Sequence, residues 1–247
     1  LEAVDLRLGR PVQAMLAQAG TAAEALEAWD RVAVEPKFDG ARVQVHHDPT
    51  GLAEPGRAGT RGAGAADGAN GGPAAQARTT AVFSRNMEDV TAALPEVVEL
   101  VEGHLTEPTI LDGEVVAVDD DGSPLPFQEV LRRFRRKHDV GQVRAEVAVE
   151  FHAFDCLHAG GADLLSVPLI DRHDRLAGVL EDPDAVSSLT LTDDPAEVER
   201  IDAEALAAGH EGVMLKDPGS TYSPGRRGKH WLKRKPGVGS LDLVVTG

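Results

Sequence analysis

Seven short runs of β-forming residues, each closed off by glycine, proline or aspartate, constrain this chain more than any other feature. They cover residues 31–35, 41–46, 81–84, 110–119, 146–154, 212–216 and 230–235. Only two helices, over 87–102 and 196–208, are read between them. Regular strand–helix alternation would build a doubly wound parallel sheet; this order, with its hairpin-length connections, predicts an α+β fold of antiparallel-rich sheets flanked by helices. Ahead of the first run, Thr21 and Glu24 have capping-box spacing, and Ala25, Leu26 and Trp29 follow at helical spacing. Residues 1–30 therefore read as a lead-in segment with a helix.

The chain has 247 residues, a size at which folding buries roughly 70–75% of the unfolded surface, so neither disulfides nor a structural metal is needed. Its one cysteine, Cys156, cannot form an internal bridge, which excludes a disulfide-stapled secreted scaffold. A cytoplasmic location is expected, nucleoid-associated if the source is prokaryotic. The longest apolar runs, such as 115–118, fall far short of the roughly 20 residues that span a bilayer, so no membrane partner is expected. Leu1 is not an initiator methionine and residues 241–245 read as a strand, so the chain is expected to be a piece of a longer one.

With 25 basic and 41 acidic residues the net charge is −16, which taken alone argues against a nucleic-acid binder. The charge is segregated, however. Residues 181–204 hold nine acids and one base, whereas 218–241 hold six Lys/Arg and no acid. A second basic knot, Arg132, Arg133, Arg135, Arg136 and Lys137, falls where a helix could present it to phosphates or to solvent. Residues 48–80 are mostly Gly, Ala, Pro and Thr and lack the apolar side chains that offset ordering entropy, so they are expected to form a flexible loop insertion between two strands.

Familiar phosphate and metal signatures are absent. Around Gly228-Lys229 the first Walker glycine is Ser223 and the hydroxyl position is His230; after Gly62 and Gly64 the third dinucleotide-loop glycine is Asp67. Nine histidines and one cysteine give no zinc spacing. The informative block is Glu35-Pro36-Lys37-Phe38-Asp39-Gly40-Ala41-Arg42, in which one strand delivers a lysine into a turn and another strand departs. A free lysine amine is neutral only about 0.04% of the time at pH 7, so a nucleophilic role needs cationic neighbours or desolvation. Arg42, Lys233 and Lys235 are candidates to supply that field. The bland alternative is a hairpin turn with a surface lysine.

Six blocks in order resemble the adenylation domain of ATP-dependent DNA ligases, members of the covalent nucleotidyltransferases. They are Lys37-Phe38-Asp39-Gly40-Ala41-Arg42, Phe83-Ser84-Arg85-Asn86, Leu111-Asp112-Gly113-Glu114, Phe151-His152-Ala153-Phe154-Asp155, Glu211-Gly212-Val213-Met214-Leu215-Lys216 and Trp231-Leu232-Lys233-Arg234-Lys235. The resemblance implies an ATP-grasp-like nucleotide cleft between the sheets, with an adenylation domain over 31–240 and the start of a C-terminal oligonucleotide-binding domain at 241–247.

Residue by residue, the resemblance makes Lys37 the carrier of AMP through a phosphoramidate bond. Glu35 matches a position beside the adenine, Arg42 and Arg85 match contacts to ribose or phosphates, Glu114 holds the ribose hydroxyls and Phe154 stacks on the base. Lys233 and Lys235, two apart on a strand, point to one face and flank the α-phosphate as catalytic groups. Arg227 matches a further phosphate contact, Lys216 ends its block toward the same cleft, and Glu211, with Glu114, matches metal-site carboxylates. ATP is thus the expected substrate, Mg²⁺ or Mn²⁺ the expected metal, and nicked double-stranded DNA the expected partner of a monomeric enzyme.

The N-terminal DNA-binding and C-terminal oligonucleotide-binding domains of that family lie outside this sequence. The chain alone is therefore expected to bind ATP, to adenylate itself slowly if at all, and to seal nicks poorly. Rival readings are an RNA ligase, an mRNA capping guanylyltransferase, an NAD-dependent ligase, or a nucleic-acid binding module without chemistry.

Overall fold

The computed structural model describes residues 5–52, 78–135, 144 and 147–234. Two five-stranded sheets form the frame. In chain order the elements are β1 (Leu16–Ala19), α1 (Ala22–Ala28), β2 (Val32–Pro36), β3 (Ala41–His47), β4 (Thr80–Ser84), a 3₁₀ turn (Thr91–Ala93) and α2 (Pro95–His104). There follow β5 (Thr109–Val118), α3 (Phe127–Arg135), β6 (Ala148–Ala159), β7 (Ala162–Asp163), α4 (Leu169–Val179), β8 (Thr190–Thr192), α5 (Pro195–Ala207), β9 (Val213–Lys216) and β10 (Arg227–Lys233).

Sheet one has the order β1-β10-β9-β2-β8 and sheet two the order β4-β3-β5-β6-β7. Among the described residues, every pairing between these strands is antiparallel except β1 with β10, in agreement with the α+β expectation. Strand alternation sorts side chains into layers. Val32 and Val34 of β2, Val213 and Leu215 of β9 and Leu232 of β10 face outward onto Ala22 and Ala25 of α1 and Val198 and Ala205 of α5. On the outer face of sheet two, Val43, Val45, Leu111 and Val115 pack with Val97 and Val101 of α2, Val130 of α3 and Leu176 of α4. Between the sheets lies a third cluster of Met15, Ile110, Leu157, Tyr222 and Trp231. Each fully buried aliphatic side chain contributes roughly 1.5–3 kcal/mol, so these layers hold the two inner faces in fixed opposition.

The Thr21 capping box forms, with Thr21 Oγ1 accepting from Glu24 N at 3.2 Å and Glu24 Oε2 accepting from Thr21 N at 2.8 Å. The helix expected over 87–102 starts only at Pro95, its first-turn residue. Upstream, Met87 adopts φ 65° in the turn after β4, and Thr91 Oγ1 accepts from Val82 N, so that stretch serves the β4 edge instead. The helix that could carry the start of the basic knot forms as α3, and one further helix, α4, was not expected. In α4 the apolar stripe of Leu169, Leu176 and Val179 is interrupted by a fully buried Arg172, which pairs with Asp155 at 2.7 Å.

Within the basic knot, Arg133 turns away from any phosphate: it is 2% exposed and donates to the Ala93 and Val147 carbonyls and to Glu96. Arg136 and Lys137 lie outside the described residues. So do residues 53–77 of the insertion, whose described base is a pair of backbone bonds, Asp48 N to Thr79 O and Leu52 N to Arg78 O, both 2.8 Å.

Candidate active site

β2 belongs to sheet one and β3 to sheet two, so residues 37–40 carry the chain from one sheet to the other. This crossing is stitched at both sides. Lys37 N donates to Gly212 O at 2.8 Å and Glu211 N donates to Lys37 O at 2.9 Å, tying it to the turn before β9. On the other side Gly40 lies against β5, where a Cβ would come within 2.3 Å of the Val115 carbonyl oxygen and 2.8 Å of Glu114 Cγ. Only glycine permits that approach. The Lys37 ammonium forms an ion pair with Glu211.

The crossing opens into a cleft of about 1040 Å³ between the inner faces of the two sheets. Strand parity explains its lining. On sheet one, Glu35, Met214, Lys216, Trp231 and Lys233 occupy the inward positions of β2, β9 and β10; on sheet two, Arg42, Glu114 and Phe154 do so on β3, β5 and β6. Arg85, in the turn after β4, and Arg227, at the start of β10, complete the wall with Lys37 itself. Nine of the residues expected from the sequence thus meet in one cavity: Lys37, Glu35, Arg42, Arg85, Glu114, Phe154, Lys216, Arg227 and Lys233. Glu211 joins them through Lys37, and Lys235 lies outside the described residues.

The cleft divides by chemistry. At one end Phe154 and Trp231 meet edge to face at 6.3 Å, with the Lys216 ammonium 4.8 and 4.3 Å from their ring centres. Lys216 Nζ bonds Glu35 Oε2 at 2.6 Å, and both side chains are 2% exposed. Burial pushes the Glu35 carboxyl up, and Lys216 opposes that shift. Glu35 Oε1 and Trp231 Nε1 are buried without a hydrogen-bond partner.

Arg42 is heavily engaged. Its Nε and Nη2 grip Asp112 at 2.9 and 2.6 Å, Nη1 donates to Met15 O at 2.5 Å, and Nη2 also donates to Tyr222 Oη at 3.3 Å. Four of its five N–H donors are therefore held by protein, leaving one for a ligand.

Glu114 sits directly across β3 from Arg42 and across β6 from His152. Burial pushes its carboxyl up to about 7; Arg42, Lys37 and Arg85 pull the other way, while Asp112 adds to the rise. Among the described residues no group of three or more His, Cys, Asp or Glu is placed to hold a metal ion. Glu114 and Glu211 both neighbour Lys37, however, and supply hard oxygen donors.

Three contributors went unassigned in the sequence: Asp112, Tyr222 and the segment Met15–Ala17. Tyr222 Oη donates to Asp112 at 2.6 Å and accepts from Met15 N at 3.0 Å, so the lead-in segment is bound to the Arg42–Asp112 pair. The signal for Asp112 was within reach. With Arg42 opposite Glu114 and Gln44 opposite Asp112, Arg42 and Asp112 are diagonal cross-strand neighbours. Nothing local in the sequence marks the 207-residue separation of Met15 and Tyr222.

Comparison with known proteins bears on this arrangement. The family described as ATP dependent DNA ligase domain matches residues 67–235, a span that begins after the Lys37 block and takes in the other five. DNA ligase of Haloferax volcanii is 61% identical over 248 residues, covering 100% of this chain and 38% of that protein. DNA ligase of Halobacterium salinarum is 55% identical over 251 residues, covering 100% and 40%. The chain thus spans about 40% of the length of such curated relatives.

Among solved structures, the ligase domain of M. tuberculosis LigD superimposes with a TM-score of 0.62 at 28% identity, covering 91% of this chain and 60% of that one. Chlorella virus DNA ligase-adenylate, at 17% identity and a TM-score of 0.56 over 90% of this chain and 68% of that one, shares the fold. No helix among the described residues is long and apolar enough to cross a membrane. With the family match running over more than half of the residues and this chain aligned from end to end with the relatives, the chain belongs to the family of ATP-dependent DNA ligase domains.

Proposed function

We propose that this chain is the adenylation core of an ATP-dependent DNA ligase, and that Lys37 is the residue that takes up AMP. The observation that carries the reading is the position of Lys37 at the crossing between the sheets, inside a cleft that has an aromatic end and a cationic rim. The flat rings of Phe154 and Trp231 suit a purine base, and the Glu35 carboxylate beside them suits an exocyclic amine. Lys233, Arg227 and Arg85 suit a polyphosphate, while Glu114 accepts from ribose hydroxyls. Arg42 contributes at most its one remaining donor and chiefly holds the wall. Lys216 acts through Glu35 rather than on phosphate. In this reading Lys235, two residues after Lys233 in the sequence, completes the phosphate clamp.

In the reaction the Lys37 ammonium gives up a proton to water, and the neutral amine attacks the α-phosphorus of ATP. The N–P bond forms as the bond to the bridging oxygen breaks, and pyrophosphate leaves. Lys233 and Arg227 offset charge that develops on the phosphate oxygens. Glu211 and Glu114 would hold Mg²⁺ or Mn²⁺; such an ion uses one or two carboxylates with phosphate oxygens and water, and supplies Lewis-acid neutralisation of the phosphates. The adenylate then passes to the 5′-phosphate at a nick in double-stranded DNA, and the neighbouring 3′-hydroxyl displaces AMP to close the strand.

The test is labelling of the full-length protein with α-labelled ATP or GTP, followed by a chase with nicked duplex. Label from ATP alone, lost to nicked DNA with sealed product, is the expected result. GMP labelling points instead to a capping-type guanylyltransferase, and an ATP label that leaves only with RNA points to an RNA ligase.

A further inference from the structure

Phe38, the residue after Lys37, is gripped by two histidines outside the cleft lining. Its ring lies parallel to that of His152 at 4.5 Å with an interplanar angle of 1°. The His210 ring meets it edge-on at 5.1 Å and 79°. The two come from opposite halves of the fold. His152 is on β6 of sheet two, paired across from Glu114; His210 lies in the turn between α5 and β9, next to Glu211, and leads into sheet one. Phe38 is therefore a point at which side chains from both halves of the fold hold the crossing, while the backbone of Lys37 bonds to the turn before β9.

A lysine has a long flexible stem, and in-line attack needs its nitrogen held near 3 Å from phosphorus, so whatever fixes the neighbouring residue fixes the starting point of that stem. We propose that His152 and His210 are positioning residues which clamp Phe38 and thereby set the direction of the Lys37 amine. Stacked and edge-to-face ring pairs have preferred geometries that a purely apolar contact lacks, so the clamp sets orientation as well as burial. The inference rests on the adenylation reading for its kinetic consequence, but its structural consequence stands apart from it.

The experiment uses the full-length protein and the variants His152→Ala, His152→Phe, His210→Ala and Phe38→Leu. Single-turnover lysyl-AMP formation is followed over a range of ATP concentrations. In His152→Ala, His210→Ala and Phe38→Leu the limiting rate falls about tenfold while half-saturating ATP stays within about twofold, and His152→Phe recovers most of the rate. Hydrogen exchange of the Lys37 amide, read without ATP, speeds up in the first three and returns toward wild type in His152→Phe. Equal losses in His152→Phe and His152→Ala, a rise in half-saturating ATP at unchanged rate, or wild-type rates throughout overturn the clamp. If His152→Ala does not fold, Phe38→Leu and His152→Phe decide the matter. Should the wild type form no lysyl-AMP, the adenylation reading fails, and the exchange pattern alone then upholds or rejects the clamp.

Discussion

Lys216 of β9 and Glu35 of β2 are diagonal cross-strand neighbours with Nζ 2.6 Å from Oε2, both all but closed to solvent, and the Lys216 ammonium lies against the Phe154–Trp231 ring pair. An ion pair this deep offsets its own desolvation only while both partners are present. Lys216→Met strands a buried carboxylate and is expected to cost about 3–5 kcal/mol in denaturant unfolding. The double variant Glu35→Gln/Lys216→Met, which removes both charges, should regain at least half of that. A Lys216→Met loss below about 1 kcal/mol contradicts the buried pairing.

His46 gives the fold an acid sensitivity of known sign. Gly9 N donates to its Nδ1 at 3.1 Å, and Gln44 Oε1 lies 2.9 Å from Nε2, so the neutral ring anchors the lead-in segment on β3. Burial, with His158 and Arg78, lowers its pKa from 6.5 to about 3. Below pH 6.5 the unfolded chain binds a proton that the fold refuses, so stability falls as pH drops from 6.5 toward 3. Between pH 7 and pH 5 the wild type should lose about 2 kcal/mol more than His46→Gln in urea titrations. Parallel pH curves for the two proteins are the contrary outcome.

Gly40→Ala tests the contact between the Lys37 crossing and β5. The added methyl meets a carbonyl oxygen of the backbone, which has nowhere to go. The crossing must shift by a fraction of an ångström or more, and the rate of lysyl-AMP formation is expected to fall about 100-fold, a typical penalty for a small misplacement of a reacting group. An unchanged rate would show that the approach to Glu114 is irrelevant to the chemistry.

Much of the candidate site was legible because ordered motif blocks name its residues. The fold then brings Glu35, Lys216, Lys233, Arg42 and Glu114 to inward-facing strand positions around one cleft. The sequence could not say which of them are spent on one another. Arg42 reads as a ligand contact until Asp112 and the Met15 carbonyl are seen to hold it, and Lys216 until Glu35 does. The strands β1 and β8 are short, four and three residues, and draw their stability from partners far along the chain, so no local pattern announces them. α4 was missed for a related reason: Arg172 occupies the centre of its apolar stripe, an arrangement made tolerable only by Asp155 on β6.

In the proposed reaction one amine, on Lys37, becomes covalently bound to AMP. Intact mass of the full-length protein after incubation with ATP and Mg²⁺, compared with Lys37→Ala, addresses it directly. The wild type should gain the mass of a single AMP, removable by acid as expected for a phosphoramidate and mapped to the peptide containing Lys37, and the variant should gain nothing. An equal gain in both proteins, or an adduct mapped to another residue, rules out Lys37 as the nucleophile.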